Sequence, residues 1–205
     1  MLSVRDAHAR VIAAFAPLPS ETVSVADAAG RVLAVPPQAR LTQPPADLSA
    51  MDGYAVRAAD VPAAPATLNL VGQAPAGGSY DHALKPGEAV RIFTGGPLPM
   101  GADSIVIQED TKADGTKITI LEAPRLGRHV RKAGLDFSTG DMPLKAGRTL
   151  TTRDLALAAA MNHPWLSVYR KPRVAILSNG DELVMPGEPV GRNQIVSSSG
   201  IAVAA

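Results

Sequence analysis

Apolar and polar positions change their spacing several times along the chain, and each change marks an expected element. "SVRDAHARVIAAFAPLP" places Val4, Val11, Ile12 and Phe15 on one helical face, opens with Ser3 and Asp6 at capping-box spacing and stops at Pro17 and Pro19. A helix is expected there. "VPPQARLTQPPADLSAMDG" has paired prolines and no periodicity, so it reads as an extended connector rather than a core element. From Tyr54 to about Lys132 the pattern turns to short β-rich runs, "TLNLVG", "EAVRIFT", "SIVIQED" and "TKITIL", parted by Gly, Pro or Asp-Gly. "TKADGTKITI" reads as a hairpin about Asp114-Gly115. No long helical pattern separates the runs, which favours a compact β domain over βαβ units. "TLTTRDLALAAAMNHP" returns to helix, with Thr151 and Asp154 at capping spacing and Asn162-His163-Pro164 as the stop. "RVAIL" is a continuous apolar run of the buried parallel-strand kind, followed by a polar loop and a helix start at Ser198 or Ser199. The chain therefore reads as stopping inside an α/β domain, because a lone strand makes no parallel sheet.

Composition narrows the function classes. Of 205 residues 46% are apolar, enough for a real core, and 18 Gly with 18 Pro indicate many turns. One Trp, three Tyr and three Phe leave few platforms for stacking single-stranded nucleic acid. Twenty basic against nineteen acidic residues give a net charge of +1, so no nucleic-acid partner is expected and any anion site must be local. The absence of cysteine removes disulfides, thiolate nucleophiles and cysteine-bound zinc. Arg5, Asp6 and Arg10 break any signal-peptide core, and no later run approaches about 18 apolar residues, so the expectation is a soluble cytoplasmic protein with no membrane partner.

The dinucleotide, P-loop, zincin and nucleophile-elbow motifs are all missing, and His8, His82, His129 and His163 lack metal-ligand spacing. Carboxylates on glycine-containing loops remain: Asp52 in "MDGY", Asp136 in "GLDF", and Asp181 with Glu182 in "NGDEL". Converging, they would suit Mg²⁺, which takes one or two carboxylates plus waters and substrate oxygens; apart, they are ordinary turn acids. Asp52-Gly53 in particular reads equally as a plain bend. In "RIFTGGPLP", Thr94 ends a strand beside two glycines that let backbone N–H groups approach an anion. "RLGRHVRKAG" gathers Arg125, Arg128, Arg131 and Lys132, an oxyanion site or a solvated basic strand. "SSSG" is a phosphate-binding helix start or only an N-cap.

Taken in order, "SAMDGYA", "GEAVRIFTGGPLPMGADSIVIQED", "VRKAGLDFSTGD", "RVAILSNGDEL" and "NQIVSSS" resemble the molybdopterin molybdenumtransferase family, the MoeA and gephyrin E-domain type. The resemblance implies a multidomain α+β protein. An elongated helical linker or dimerisation domain (1–53 and 137–168) would carry an inserted β-rich domain (54–136), followed by the incomplete start of an α/β molybdopterin-binding domain (169–205). It implies Mg²⁺-dependent insertion of molybdate into adenylylated molybdopterin with release of AMP, in molybdenum cofactor biosynthesis. Asp52, Thr94, Asp136 and Glu182 match functional motif positions, the three acids as metal ligands; Arg131, Ser178 and Asp181 match substrate or oxyanion contacts. Asn179 stands where many relatives have Thr, and "IVSSS" has Ser where they often show Asp-Ser-Asn. Implied partners are a second copy of the chain, the molybdopterin adenylyltransferase and acceptor molybdoenzymes. The alternative is a non-catalytic dimerisation or scaffold module of the same family. As an incomplete fragment, the 205 residues alone are expected not to turn over.

Overall fold

The computed structural model describes residues 2–205. In chain order its elements are α1 (Val4–Ala13), β1 (Ser20–Ser24), β2 (Leu48–Ser49), β3 (Gly53–Val56), β4 (Ala66–Ala74), β5 (Glu88–Ile92), β6 (Ser104–Ile107), β7 (Thr111–Asp114), β8 (Lys117–Ile120), β9 (Val130–Arg131), α2 (Thr152–Ala160), β10 (Trp165–Tyr169), β11 (Leu183–Val184), β12 (Ile195–Val196) and α3 (Ser199–Ala204). They divide into a unit of residues 21–168 and a unit of residues 2–20 with 169–205.

The larger unit is built on a six-stranded mixed sheet of order β6-β3-β5-β4-β8-β7. Its strands alternate between two apolar layers, because successive side chains point to opposite faces. Tyr54, Val56, Val106 and Ile118 fill one layer; Ala55, Val90, Ile92 and Ile105 fill the other. Burial on both faces explains why "GYAV", "EAVRI" and "SIVI" read as nearly unbroken apolar runs. The hairpin about Asp114-Gly115 is present, with Asp114 opposite Lys117 and Gly115 at φ +58. A feature that spacing does not reveal is the parallel pairing of β4 with β5, connected through residues 75–87 without a helix.

A third apolar cluster in this unit contains Leu33, Phe137, Leu144, Leu150, Met161 and Val168. The capped helix α2 packs Ala158 into it. Its N-terminus carries a complete capping box: Thr151 N–H and Oγ1 donate to Asp154 Oδ2 at 2.8 and 2.7 Å, and Asp154 N–H returns to Thr151 Oγ1. These bonds hold the Asp154 carboxyl below its ordinary value, led by the Thr151 backbone.

The expected elongated helical domain is not found. Among the described residues of 1–53 and 137–168 the helices are α1, α2 and one 3₁₀ turn, Val25–Asp27. Prolines deny these stretches continuous helical hydrogen bonding, and backbone bridges replace it: Val32 with Thr149, Leu33 with Val168 and Gln43 with Phe137.

In the smaller unit α1 forms as expected, capped by Ser3, whose Oγ accepts from Asp6 N–H at 3.1 Å. None of its residues is buried, so its apolar stripe is formed but uncovered. The expected buried strand in "RVAIL" is absent; residues 173–177 have no regular structure, and Leu177 is 90% exposed. A parallel strand needs neighbours for its backbone groups, and the described parallel pairing here is limited to two residues each of β11 and β12.

Replacing Thr151 by Ala removes the capping oxygen of α2. The unfolding free energy is expected to fall by about 1 kcal/mol, read as a lower denaturant midpoint with an unchanged slope.

Candidate functional site

The proline-rich segment of residues 43–52 is strapped along both edges. On one edge Asp136 N–H donates to Gln43 O at 3.0 Å, Gly134 N–H to Pro44 O at 3.0 Å, and Ala50 N–H to His129 O at 2.9 Å. Between these, β2 pairs antiparallel with β9, setting Leu48 opposite Arg131. On the other edge Leu98 N–H donates to Asp47 O, Ser49 N–H to Gly96 O, and Gly95 N–H to Ser49 O, at 2.8 to 2.9 Å. The segment is thus an inner strand with partners on both sides, and Ser49 is fully buried. Its buried hydroxyl donates to Met51 O and accepts from Met51 N–H, turning the chain toward Asp52.

Asp52 does not bond its own backbone. Its Oδ1 accepts from Thr94 N–H at 2.7 Å and from Thr94 Oγ1 at 2.8 Å, joining residues 42 apart in sequence. These two bonds, the backbone one first, hold the exposed carboxyl below its ordinary value of 3.8, with a smaller contribution from the nearby Arg91 charge. Among the described residues Oδ2 accepts no hydrogen bond. Gly53 is needed for close approach rather than for a left-handed turn: a Cβ there would lie 2.0 Å from Val106 O on β6. The Asp-Gly pair is therefore a bend at the entry to β3, with the Asp52 side chain bonded across to Thr94 instead of to its own backbone.

The basic group of Arg125, Arg128, Arg131 and Lys132 divides. Arg128 is paired with Glu122 at 2.6 Å and lies 3.8 Å from Asp110, while Lys132 is paired with Asp47 at 2.7 Å. The exposed Arg131 side chain makes no ion pair among the described residues. Asp136 is exposed beside the buried Phe137 and is placed by its backbone bond to Gln43. Asp52, Thr94, Arg131 and Asp136 are thus all fastened to one ten-residue segment or belong to it.

The smaller unit carries Ser178, Asp181 and Glu182. Ser178 lines an open cavity of about 470 Å³ with Ile176, Met185, Ser197, Gly200 and Ile201. Asp181 is exposed in the turn before β11, and Glu182 O accepts from Ile195 N–H at 2.8 Å. The Glu182 carboxylate folds over Gly180, where a Cβ would lie 2.5 and 2.6 Å from its two oxygens. Among the described residues no group of three or more His, Cys, Asp or Glu forms a cage for a metal ion. A cation at Asp52 would find one ionised carboxylate with an unused oxygen, which suits Mg²⁺ completed by waters and ligand oxygens.

Asp47 was not singled out by sequence reasoning, yet it organises the site. Its carboxylate accepts from Lys132 Nζ at 2.7 Å and Ala133 N–H at 2.9 Å, which hold it below the ordinary carboxyl range. An acid directly after a Pro-Pro-Ala stiff segment was the available signal.

Comparison with known proteins places this geometry in context. Residues 2–162 match the family model described as the MoeA N-terminal region, domain I and II. A molybdopterin molybdenumtransferase of Nostoc sp. is 42% identical over 190 residues, covering 91% of this chain and 44% of that protein. Molybdopterin molybdenumtransferase 2 of Mycobacterium tuberculosis is 39% identical, covering all of this chain and 52% of that protein. The crystal structure of a molybdopterin biosynthesis MoeA protein from Pyrococcus horikoshii superimposes with a TM-score of 0.83 at 32% identity, over 90% of this chain and 50% of that one. The chain spans about half the length of these relatives.

Because the folded Asp52 carboxyl titrates below 3.8, its bonds to Thr94 are fully present at neutral pH. Their stabilisation is lost as pH falls through the ordinary carboxyl value and then the lower folded one. The Asp52 ¹³Cγ resonance is expected to titrate below 3.8, and Thr94→Val to raise that midpoint toward 3.8.

Proposed function

Since the chain belongs to the MoeA family, we propose that it acts in molybdenum cofactor biosynthesis as a molybdopterin molybdenumtransferase, inserting molybdate into adenylylated molybdopterin with release of AMP. The observation that carries the reading is the half-used carboxylate of Asp52, fixed through Oδ1 by Thr94 and open at Oδ2. Asp52 would hold Mg²⁺, with Asp136 and, in the smaller unit, Glu182 as the further candidate carboxylates of a homodimeric protein. When bound, Mg²⁺ supplies charge neutralisation at the pyrophosphate as AMP leaves. Thr94 keeps Asp52 ionised and aimed. Arg131, a planar cation with no ion pair among the described residues, attracts molybdate, while Ser178 and Asp181 contact the pterin side of the substrate.

The division into 1–53 with 137–168, an insert 54–136 and a pterin-binding part from 169 belongs to the same proposal. It is supported by the apolar clusters: the Leu33–Val168 cluster draws its residues from the first part, and the two sheet layers draw theirs from the second. The substrate would come from the molybdopterin adenylyltransferase, and the product would pass to acceptor molybdoenzymes. The uncovered face of α1, with Val4 87% and Ile12 59% exposed, favours a second reading as a dimerisation or scaffold module.

A chimera in which these 205 residues replace the matching part of the Nostoc relative tests the proposal. With Mg²⁺ and adenylylated molybdopterin it is expected to release AMP in a molybdate-dependent way. Asp52→Ala should lower the rate roughly tenfold or more while the denaturation midpoint changes little. Full activity of that variant would remove Asp52 from the chemistry, and a folded dimeric chimera that binds no pterin would favour the scaffold.

A further inference from the structure

Arg91, on β5, makes four contacts around the base of the Asp52 turn that the proposed chemistry leaves unused. Its guanidinium carbon lies 5.0 Å from the ring centroid of Tyr54 and 5.0 Å from that of Phe93. One amino group, Nη1, donates to the Gly53 carbonyl at 3.2 Å, and the other, Nη2, donates to Gln108 Oε1 at 2.7 Å. Gln108 in turn donates its backbone N–H to the Asp52 carbonyl at 3.2 Å. The carbonyls of Asp52 and Gly53 are thus both held by one Arg-Gln pair.

Strand register explains why these groups meet. Arg91 stands opposite Tyr54 in the antiparallel β3-β5 pair, and Gly53 lies opposite Ile107 of β6, next to Gln108. Phe93 is two residues beyond Arg91, on the same side of the chain, and immediately precedes Thr94. A rotation of the β3 entry or of the β5 exit would therefore break a stacking contact of Arg91 as well as the Asp52-Thr94 bonds. Arginine suits this post because its planar fork stacks and donates in two directions together, which an ammonium does not reproduce.

We propose that Arg91 is a positioning residue for molybdenum insertion, clamping the carbonyls on either side of Gly53, one directly and one through Gln108, so that the Asp52 carboxylate meets Thr94 through one oxygen and presents the other to the ligand. This role rests on the reading of Asp52 given above, but its geometry is testable without turnover.

The test follows amide hydrogen exchange of Thr94, whose N–H donates to Asp52 Oδ1, and of Gln108, whose N–H donates to the Asp52 carbonyl, in the 205-residue chain and in Arg91→Met, Arg91→Lys and Gln108→Ala. In Arg91→Met both amides should exchange roughly tenfold faster. Arg91→Lys keeps the charge and loses the fork, so it should quicken both as well. Gln108→Ala should quicken Thr94 exchange in the same way. Unchanged Thr94 exchange in folded Arg91→Met overturns the proposal. If that variant does not fold, unchanged Thr94 exchange in Gln108→Ala and Arg91→Lys overturns it equally. A silent Asp52→Ala in the insertion assay would instead defeat the functional reading and leave these exchange changes intact.

Discussion

One carboxylate oxygen receives two donors from one residue: Asp52 Oδ1 takes the backbone N–H and the hydroxyl of Thr94. This contact joins the start of β3 to the chain just beyond β5, so it couples the position of a candidate ligand-binding acid to the centre of the six-stranded sheet. Charge-assisted bonds of this kind are stronger than neutral ones and are directional. Because both donors fall on one oxygen, the carboxylate is oriented without being used up.

What makes the contact possible is the strapped segment of residues 43–52. An unpaired proline-rich connector would leave Asp52 mobile. Here the backbone is bonded on one side to the Gly95–Leu98 loop and on the other to His129, β9 and residues 133–137, with Asp47 anchoring Lys132. Its prolines lack N–H donors, so the ladder is carried by the carbonyls of Gln43 and Pro44 and by the non-proline residues around Ser49. The same segment fixes where Arg131 and Asp136 emerge. Rigid support of this kind is what holds a binding constellation in register.

Local signals were legible in the sequence where local interactions decide the structure. The capping box of α2 and the Asp114-Gly115 hairpin need only neighbours in sequence to form, and both are present; the apolar runs marked the strands of the sheet but not which strands pair. The Asp52 and Thr94 motifs were visible as residue types, but their direct bond was not, since nothing in spacing relates positions 42 apart. The parallel β4-β5 pair and the two-sided pairing of residues 43–52 were hidden for the same reason. Helix was overestimated across 1–53 and 137–168, where bridges such as Leu33-Val168 take up backbone groups that prolines deny to helices. The apolar pattern of "RVAIL" suggested a buried strand, but a strand needs partners, and residues 173–177 are exposed and have none among the described residues.

The claim that Asp52 is a ligand-binding acid, and not merely a brace for Thr94, is tested most directly by adding Mn²⁺, a paramagnetic stand-in for Mg²⁺, to the ¹⁵N-labelled chain. The account predicts selective broadening of the amides of Asp52, Gly53 and Thr94 to Gly96, abolished in Asp52→Asn. Broadening centred elsewhere, or unchanged by that substitution, would contradict it.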